Sequence, residues 1–180
     1  MWMSAYIPFQ VEKSGNKWVC FPCKGGISGM FRGISLITVD PKGRLAVPAK
    51  HRDALTQAAN GQIIITVDHA DKCLLIYPMD QWLKLEKTLM SLPNVNPSVR
   101  HMQRLLLGHA AEVELDAQGR VLLPAPLREY AAIDKHVVLV GQATKFELWD
   151  ADAWDKARDS WLLDAQQSPE ATAILSQVLL

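Results

Sequence analysis

Two arginines in matching surroundings are the strongest candidates for chemistry in this sequence. Residues 40–44 read DPKGR and residues 116–120 read DAQGR, so that Arg44 and Arg120 end the same short motif. In both copies, three apolar residues and a proline follow the arginine. The planar fork of an arginine can grip a guanine edge or a phosphate. We therefore expect the two motifs to carry the functional contacts of the protein.

The rest of the motif predicts a tight turn that presents its arginine at the edge of a β surface. In the first copy, Asp40 at i, a proline at i+1 and Gly43 at i+3 are typical of a type I turn. Asp40 and its counterpart Asp116 can bind the turn backbone, or pair with the arginine and aim it. Gly43 and Gly119 can adopt the unusual dihedral angles that such a turn requires. From the spacing alone, a structural clamp and a ligand site are equally open.

Positive charge gathers around the first turn, although the whole chain is neutral. The 180 residues carry a formal net charge of +0, and the pI is about 7.0. The basic residues of this region are Lys42, Arg44, Lys50, His51 and Arg52. The second turn has Gln118 where the first has Lys42, so the turns are not expected to contribute equally. A few phosphate contacts per chain bind weakly and are sensitive to salt, whereas several linked copies bind through effective concentration.

The elements that must position these turns follow the same order twice: strand, turn, strand, short helix, strand, strand and helix. Around the first turn we predict strands at 37–39, 44–47, 62–67 and 73–77, a helix at 48–55 and a helix capped by Asp80. Around the second turn we predict strands at 112–115, at Val121, at 137–140 and at 145–149, a helix at 124–131 and a helix capped by Asp150. Trp82 and Trp154 take matching core positions, and a helix at 98–107 lies between the copies.

Each copy is roughly fifty residues long, a size at which a lone core is marginal. We therefore expect an α+β, β-rich fold in which the two repeats form a pseudo-twofold, barrel-like core with flanking helices. The predicted organisation is a disordered leader at 1–29, a first repeat at 34–81, a helical connector at 82–109, a second repeat at 110–153 and a helical tail at 154–180.

Other features of the sequence limit the function classes. No run of about 18 apolar residues occurs, so no membrane span is predicted. The three cysteines form no disulfide framework, which fits a reducing cytosol. Cys20 and Cys23 are half of a zinc site at most, and no second pair with suitable spacing follows them. Neither a metal nor a cofactor is therefore predicted.

Four segments of the chain resemble a known family. They are residues 30–33 (MFRG), the two turns, residues 106–110 (LLGHA) and residues 146–149 (FELW). With them the chain is similar to the bacterial MraZ proteins, which are tandem-repeat members of the AbrB-like transition-state-regulator superfamily. The resemblance runs from Met30 to about Leu163. Members typically begin at the methionine that matches Met30, so the leader lies outside the resemblance.

The resemblance implies a sequence-specific DNA-binding transcriptional regulator of the bacterial division and cell-wall gene cluster, its own gene included. The implied partners are double-stranded DNA, bound at direct repeats in that promoter, and further copies of the chain in a closed ring. The implied location is the cytoplasm, in association with the nucleoid. The DNA-binding residues that carry over are Arg44, Arg120, Lys42, Asp40, Asp116, Gly43 and Gly119. The operator bases, the number of subunits and the direction of regulation stay open.

Several other polar residues favour plainer roles. Arg52 and Arg128 lie at matching positions, where support of a helix or an interface is favoured over DNA contact. A solvated helix face accounts for Arg100, His101 and Arg104. His109 is expected to be packed or hydrogen-bonded.

Two other function classes remain as alternatives. One is a small metal-dependent hydrolase that uses Asp68, His69 and Asp71, but the sequence has no paired histidines at helical spacing, nucleophile elbow or phosphate-binding glycine loop. A polar turn explains these three residues better, and no enzyme is predicted. The other alternative is a ring-forming or antitoxin-like interaction protein without specific DNA readout.

Overall fold

The computed structural model describes residues 12–14, 17–19 and 30–168, together with residues 173 and 177. Within these residues the strands are β1 (Glu12–Ser14), β2 (Lys17–Val19), β3 (Phe31–Thr38), β4 (Arg44–Ala46), β5 (Gln62–Val67), β6 (Leu74–Pro78), β7 (Ala111–Glu114), β8 (Arg120–Leu122), β9 (His136–Ala143) and β10 (Lys145–Asp150). The helices are α1 (Ala49–Ala59), α2 (Met79–Ser91), α3 (Pro97–Leu106), α4 (Ala125–Tyr130) and α5 (Ala151–Gln167). Of the predicted leader, β1 and β2 form an antiparallel pair. The rest of it, including Cys20 and Cys23, lies outside the described residues.

A six-stranded antiparallel sheet interleaves the two copies of the repeat. Its strand order is β3-β9-β10-β6-β5-β7, so strands of the first copy (β3, β6, β5) pair directly with strands of the second (β9, β10, β7). At the centre of the sheet Glu147 pairs with Leu75, and these residues hold equivalent positions in the two copies. The sheet is therefore approximately symmetric about this pair. The two copies therefore build one sheet together, as we predicted from the small size of each copy.

A separate two-stranded ribbon, β4 and β8, packs against one face of the sheet. Leu45 and Val121 face each other in this ribbon, and both are almost fully buried. They join a core cluster that draws apolar residues from both copies and from the inner face of the sheet, including Ile65 and Leu148. Leu55 of α1 and Leu127 of α4 belong to the same cluster. Burial of apolar surface shared between the copies stabilises the fold.

The other face of the sheet is covered by the remaining helices. Trp154 of α5 packs on Trp149 of β10, while α2 and α3 cover Leu75 through Leu89 and Leu106. Trp82 is also buried, so the prediction that the paired tryptophans are core residues is confirmed. The ribbon and the helices α2, α3 and α5 therefore lie on opposite sides of the sheet.

The strand pairing does not close into a barrel within residues 30–168. The large sheet has two open edges, β3 on one side and β7 on the other. The strands of the ribbon pair with each other, and a single bridge between Val39 and Leu45 is their other β pairing within these residues. The α+β, strand-rich class is confirmed. The barrel-like closure is not, and it stays a prediction.

The start of α2 corrects one detail of the sequence analysis. Pro78 holds the N-cap position, and Asp80 lies in the first turn of the helix rather than capping it. Asp150 does cap α5, because its Oδ1 accepts hydrogen bonds from the backbone N–H groups of Asp152 and Ala153. Counted back from the paired tryptophans, Asp150 matches Pro78 and Asp152 matches Asp80. The two aspartates were therefore not equivalent.

No helix of the described residues is both long enough and apolar enough to cross a bilayer.

Candidate nucleic-acid interface

Both D-x-x-G-R motifs form the predicted tight turns. In the first, the Gly43 N–H donates to the Asp40 carbonyl oxygen at 2.8 Å, and the Asp40 N–H donates to the Arg44 carbonyl oxygen at 2.8 Å. The same two bonds, each 2.8 Å, link Gly119 to Asp116 and Asp116 to Arg120. Gly43 has a φ of +81° and Gly119 a φ of +72°, in the left-handed region that favours glycine. Each motif is thus a closed hairpin loop with a left-handed residue just before the arginine.

Each aspartate binds both the turn backbone and the arginine. Oδ1 of Asp40 accepts from the N–H groups of Lys42 at 2.9 Å and Arg44 at 3.0 Å. Its Oδ2 accepts from Nε and Nη2 of Arg44, at 2.8 and 2.7 Å. The two functions that the sequence left as alternatives, tying the backbone and aiming the arginine, are therefore performed by the two oxygens of one carboxylate.

The second turn repeats this clamp bond for bond. Oδ1 of Asp116 accepts from the N–H groups of Gln118 and Arg120, both at 2.9 Å. Oδ2 accepts from Nε and Nη2 of Arg120, at 2.8 and 2.7 Å. The two arginine side chains are also similarly placed, with 33% of Arg44 and 32% of Arg120 exposed.

These hydrogen bonds lower the pKa of both carboxyl groups. The backbone N–H of Arg44, followed by its side chain, lowers the pKa of Asp40. The side chain of Arg120, followed by its backbone N–H, lowers the pKa of Asp116 to about 2. Because the folded pKa lies below the unfolded value, the clamps stabilise the charged carboxylates at neutral pH and are lost only in acid.

The ribbon places the two arginines on one face. Arg44 pairs with Leu122 and Arg120 pairs with Ala46, so these four residues share one side of the strands and Leu45 and Val121 share the other. Leu122 and Ala46 are exposed. Diagonal neighbours of this kind are about 7–8 Å apart in antiparallel strands. The ribbon therefore has a buried apolar face and an outer face that carries both arginines.

The clamps leave part of each guanidinium available. An arginine has five N–H donors, and the aspartate engages Nε and Nη2. Within residues 30–168, neither Nη1 makes a hydrogen bond. Lys42 is exposed beside Arg44, and Gln118 is exposed beside Arg120. The outer face can thus present two oriented, partly unpaired guanidinium groups to an acceptor-rich partner.

Two further arginines cross between the copies and contact these turns. A Cβ placed on Gly43 would lie 3.0 Å from Cζ of Arg128, and a Cβ on Gly119 would lie 2.8 Å from Cζ of Arg52. Arg52, from the helix of the first copy, thus lies against the second turn, and Arg128 lies against the first. Arg52 and Arg128 lie at matching positions in the sequence, but only the structure shows that each residue serves the opposite turn.

The structure removes His51 from the basic group. This side chain is only 7% exposed and packs edge-on against the rings of Phe31 and Phe146. Burial, with a smaller contribution from Lys50, lowers its pKa to about 4. The ring is therefore neutral at pH 7, and the prediction that it adds positive charge was wrong because the apolar core excludes its charged form.

The remaining basic and polar candidates lie elsewhere. Arg100 and Arg104 are exposed on α3, on the opposite side of the sheet from the ribbon, where they line a shallow depression with Asn94 and Gln103. Nη1 of Arg100 donates to the carbonyl oxygen of Asn94 at 2.7 Å. Nδ1 of His109 lies 2.9 Å from the carbonyl oxygen of Leu105, which confirms a hydrogen-bonded histidine.

The hydrolase candidate does not form a metal-binding cluster. Oδ1 of Asp68 lies 3.2 Å from Nδ1 of His69 and accepts from the backbone N–H of Ala70 at 2.9 Å, as in a polar turn. In the part of the chain that the structure describes, no three His, Cys, Asp or Glu side chains are grouped so that they could hold a metal ion.

Comparison with known proteins points to one family. A family model described as "MraZ protein, putative antitoxin-like" matches the chain twice, over residues 30–105 and 106–176. A protein of Thioalkalivibrio sulfidiphilus (strain HL-EbGR7) named "Transcriptional regulator MraZ" is 52% identical over 151 residues, which cover 84% of this chain and 100% of the relative.

Two further relatives carry the same name. That of Alkalilimnicola ehrlichii (strain ATCC BAA-1101 / DSM 17681 / MLHE-1) is 51% identical over 138 residues, 77% of this chain and 92% of the relative. That of Hydrogenovibrio crunogenus (strain DSM 25203 / XCL-2) is 49% identical over 150 residues, 83% of this chain and 98% of the relative. Because the family model matches residues 30–105 and 106–176 and these relatives are 49–52% identical over most of the chain, the chain belongs to the MraZ family.

Proposed function

We propose that this protein is a DNA-binding transcriptional regulator that contacts double-stranded DNA through the outer face of its β4–β8 ribbon. The observation that carries the proposal is the placement of Arg44 and Arg120 on that face, each aimed by its own aspartate. The name that the relatives carry, transcriptional regulator, supports the same function.

The dimensions of the ribbon suit a DNA groove. The major groove admits a two-stranded β-ribbon, and an arginine fork recognises O6 and N7 of guanine there. A separation of about 7–8 Å between the arginines corresponds to roughly two base steps of about 3.4 Å. In this proposal Arg44 and Arg120 contact bases or phosphates and Lys42 adds a phosphate contact. Asp40, Asp116, Gly43 and Gly119 hold the arginines in place.

Assembly supplies the affinity that one neutral chain lacks. We propose that several copies form a closed ring that binds direct repeats in the promoter of the protein's own division and cell-wall gene cluster, in the cytoplasm and at the nucleoid. Two arginines and a lysine per chain give few ionic contacts, and linked copies would multiply them through effective concentration. The repeats at 34–81 and 110–153, joined by the connector at 82–109, would form the barrel-like core of each subunit.

The test is binding of the protein to its own upstream DNA and to a scrambled fragment of equal length, across a salt series. We expect Arg44→Ala and Arg120→Ala each to weaken binding to the native fragment by about 5- to 150-fold, the loss of one good arginine contact. The matched controls are Arg100→Ala and Arg104→Ala, which remove exposed arginines from the opposite side of the sheet and should leave binding nearly unchanged.

Two results would reject the proposal. Equal and salt-fragile binding to both fragments would leave only nonspecific electrostatics, and the protein would then be an assembly or antitoxin-like interaction protein. Unchanged affinity of the Arg44→Ala, Arg120→Ala double variant at matched salt would remove the ribbon from the interface. Size-exclusion chromatography with light scattering on the same samples tests the ring, which both variants should preserve.

A further inference from the structure

We propose that Arg52 and Arg128 are positioning residues that act across the repeats: Arg128 holds the first turn and its Arg44, and Arg52 holds the second turn and its Arg120. This inference rests on the proposed DNA-binding function. It adds that each half of the recognition face depends on a side chain from the other half of the chain.

The contact with the first turn is made over the glycine. Cζ, Nε and Nη2 of Arg128 lie 3.0, 3.1 and 3.2 Å from the position that a Cβ of Gly43 would take. Three atoms of one guanidinium at nearly equal distances mean that its plane lies flat against the glycine. Gly43 is buried under this plane, and the residue that follows it is Arg44. The absence of a side chain at Gly43 is therefore what lets the guanidinium approach.

The contact with the second turn has the same form and one additional bond. Nε, Cδ and Cζ of Arg52 lie against the corresponding position on Gly119. Nε of Arg52 also donates to the Val47 carbonyl oxygen at 2.7 Å. The Val47 N–H in turn donates to the Gly119 carbonyl oxygen at 2.9 Å. Arg52 thus reaches the second turn both directly and through Val47, the residue that follows β4.

The first turn lacks that additional bond. Leu123, the counterpart of Val47, donates to the Gly43 carbonyl oxygen at 2.8 Å, which repeats the link between ribbon and turn. Nε of Arg128, however, is buried and has no hydrogen-bond partner within the described residues. Arg128 therefore supports its turn by packing, whereas Arg52 supports its turn by packing and by a hydrogen bond.

These contacts give the arginines a role that differs from direct DNA binding. Both side chains are only partly exposed, and their guanidinium groups are occupied by the turn glycines. Flat packing needs the planar guanidinium, whereas a phosphate contact needs only a positive charge, which lysine also supplies. Lysine substitution therefore separates the two roles.

A crossed set of double-mutant cycles tests the proposal on the intact protein. We expect Arg128→Met to weaken binding to the native promoter fragment roughly tenfold and to have little further effect once Arg44 is alanine, a coupling of about fivefold or more. Its effect should stay additive with Arg120→Ala. Arg52→Met should show the reverse pattern, coupled to Arg120 and additive with Arg44. Arg128→Lys and Arg52→Lys should fail to restore binding.

Three outcomes would overturn the inference: additive effects in every cycle, coupling within the same repeat, or full binding by the lysine variants. Loss of general stability would weaken both turns together and would not produce a crossed pattern. If Arg44→Ala itself leaves binding unchanged, the proposed function fails instead, so the two failures are distinguishable.

A measurement without DNA covers the case in which the methionine variants fold poorly. In NMR spectra of the lysine variants, Arg128→Lys should shift the Nε–Hε resonance of Arg44 and leave that of Arg120 in place, and Arg52→Lys should do the opposite. Equal shifts of both resonances in either variant would contradict crossed support.

Discussion

The two D-x-x-G-R turns agree closely in their internal geometry and differ in their surroundings. The Oδ1 bond to the arginine N–H is 3.0 Å in the first and 2.9 Å in the second, and the four remaining clamp and turn bonds to the arginine and glycine have the same lengths in both. Within the turns, Lys42 of the first copy takes the position that Gln118 takes in the second, and outside them buried His51 takes the position of Leu127. The aspartate, glycine and arginine that both motifs share are therefore enough to build the clamp, whereas the charge beside the arginine and the packing around the turn vary between the copies.

The support of the two turns is also unequal. Arg52 adds a hydrogen bond to Val47, and Arg128 has a buried Nε without one. An unpaired buried donor costs free energy, so we expect the first turn to be the less firmly held.

Substitution of the turn glycines should have the largest effect on folding. Gly43→Val and Gly119→Val force a β-branched residue into the left-handed region and push a Cβ against an arginine, so each should lower the free energy of unfolding by about 2–5 kcal/mol. Gly119→Val should cost more, because Arg52 lies closer to its Cβ than Arg128 lies to that of Gly43. Urea unfolding measures both.

The matched controls are Gly43→Asn and Gly119→Asn, which place the same Cβ but tolerate a positive φ better than valine. They should be less destabilised than the valine variants at the same position. A Gly119→Val protein that unfolds at the wild-type urea concentration would show that the turn does not need glycine.

Replacement of His51 by leucine, the residue of the second copy, should abolish one part of the pH dependence of stability. The unfolded chain binds a proton near the ordinary histidine pKa of 6.5, while the folded ring does so only at about 4. Stability should therefore fall as the pH falls from about 6.5 to about 4, by roughly 3 kcal/mol at about 1.36 kcal/mol per pKa unit. Urea unfolding between pH 8 and pH 4 should show this loss in the wild type and a much smaller one in His51→Leu.

His109→Leu provides the comparison for this experiment, because it replaces an exposed histidine rather than one of the core. Parallel profiles for His51→Leu and the wild type would mean that the buried ring does not govern stability in this range.

Exchange of Lys42 and Gln118, the residues that differ between the turns, should have the smallest effect. This exchange should change the salt dependence of DNA binding rather than the stability of the fold. Lys42→Gln should reduce the slope of log K against log salt concentration by about 0.9, the loss of one phosphate contact, and Gln118→Lys should increase it by the same amount. The slope comes from titrations of the native fragment at several salt concentrations. Lys87→Gln, at an exposed position of α2, should leave it unchanged, and identical slopes for Lys42→Gln and the wild type would remove Lys42 from the interface.

Much of the local structure could be predicted from the sequence. The strand at 62–67 lies where its apolar, β-branched run predicted it, and α3 keeps Leu106 buried and Arg100 exposed as its periodicity indicated. Asp150 caps α5 as predicted, since a cap involves residues only two and three positions apart. The assignment of Asp80 as a cap was wrong. Asp150 lies four positions before Trp154, whereas Asp80 lies only two positions before Trp82 and therefore falls inside its helix.

The composition of the D-x-x-G-R clamp could be inferred from residues alone because all of its bonds span at most four positions in the chain. The partners of each strand and turn could not. Periodicity shows which face of a strand is buried but does not identify the strand that pairs with it. The interleaved order of the large sheet, the pairing of β4 with β8 and the crossing of Arg52 and Arg128 all join residues from different repeats. Packing of the shared core selects these long-range contacts, and the same packing excludes the charge of His51.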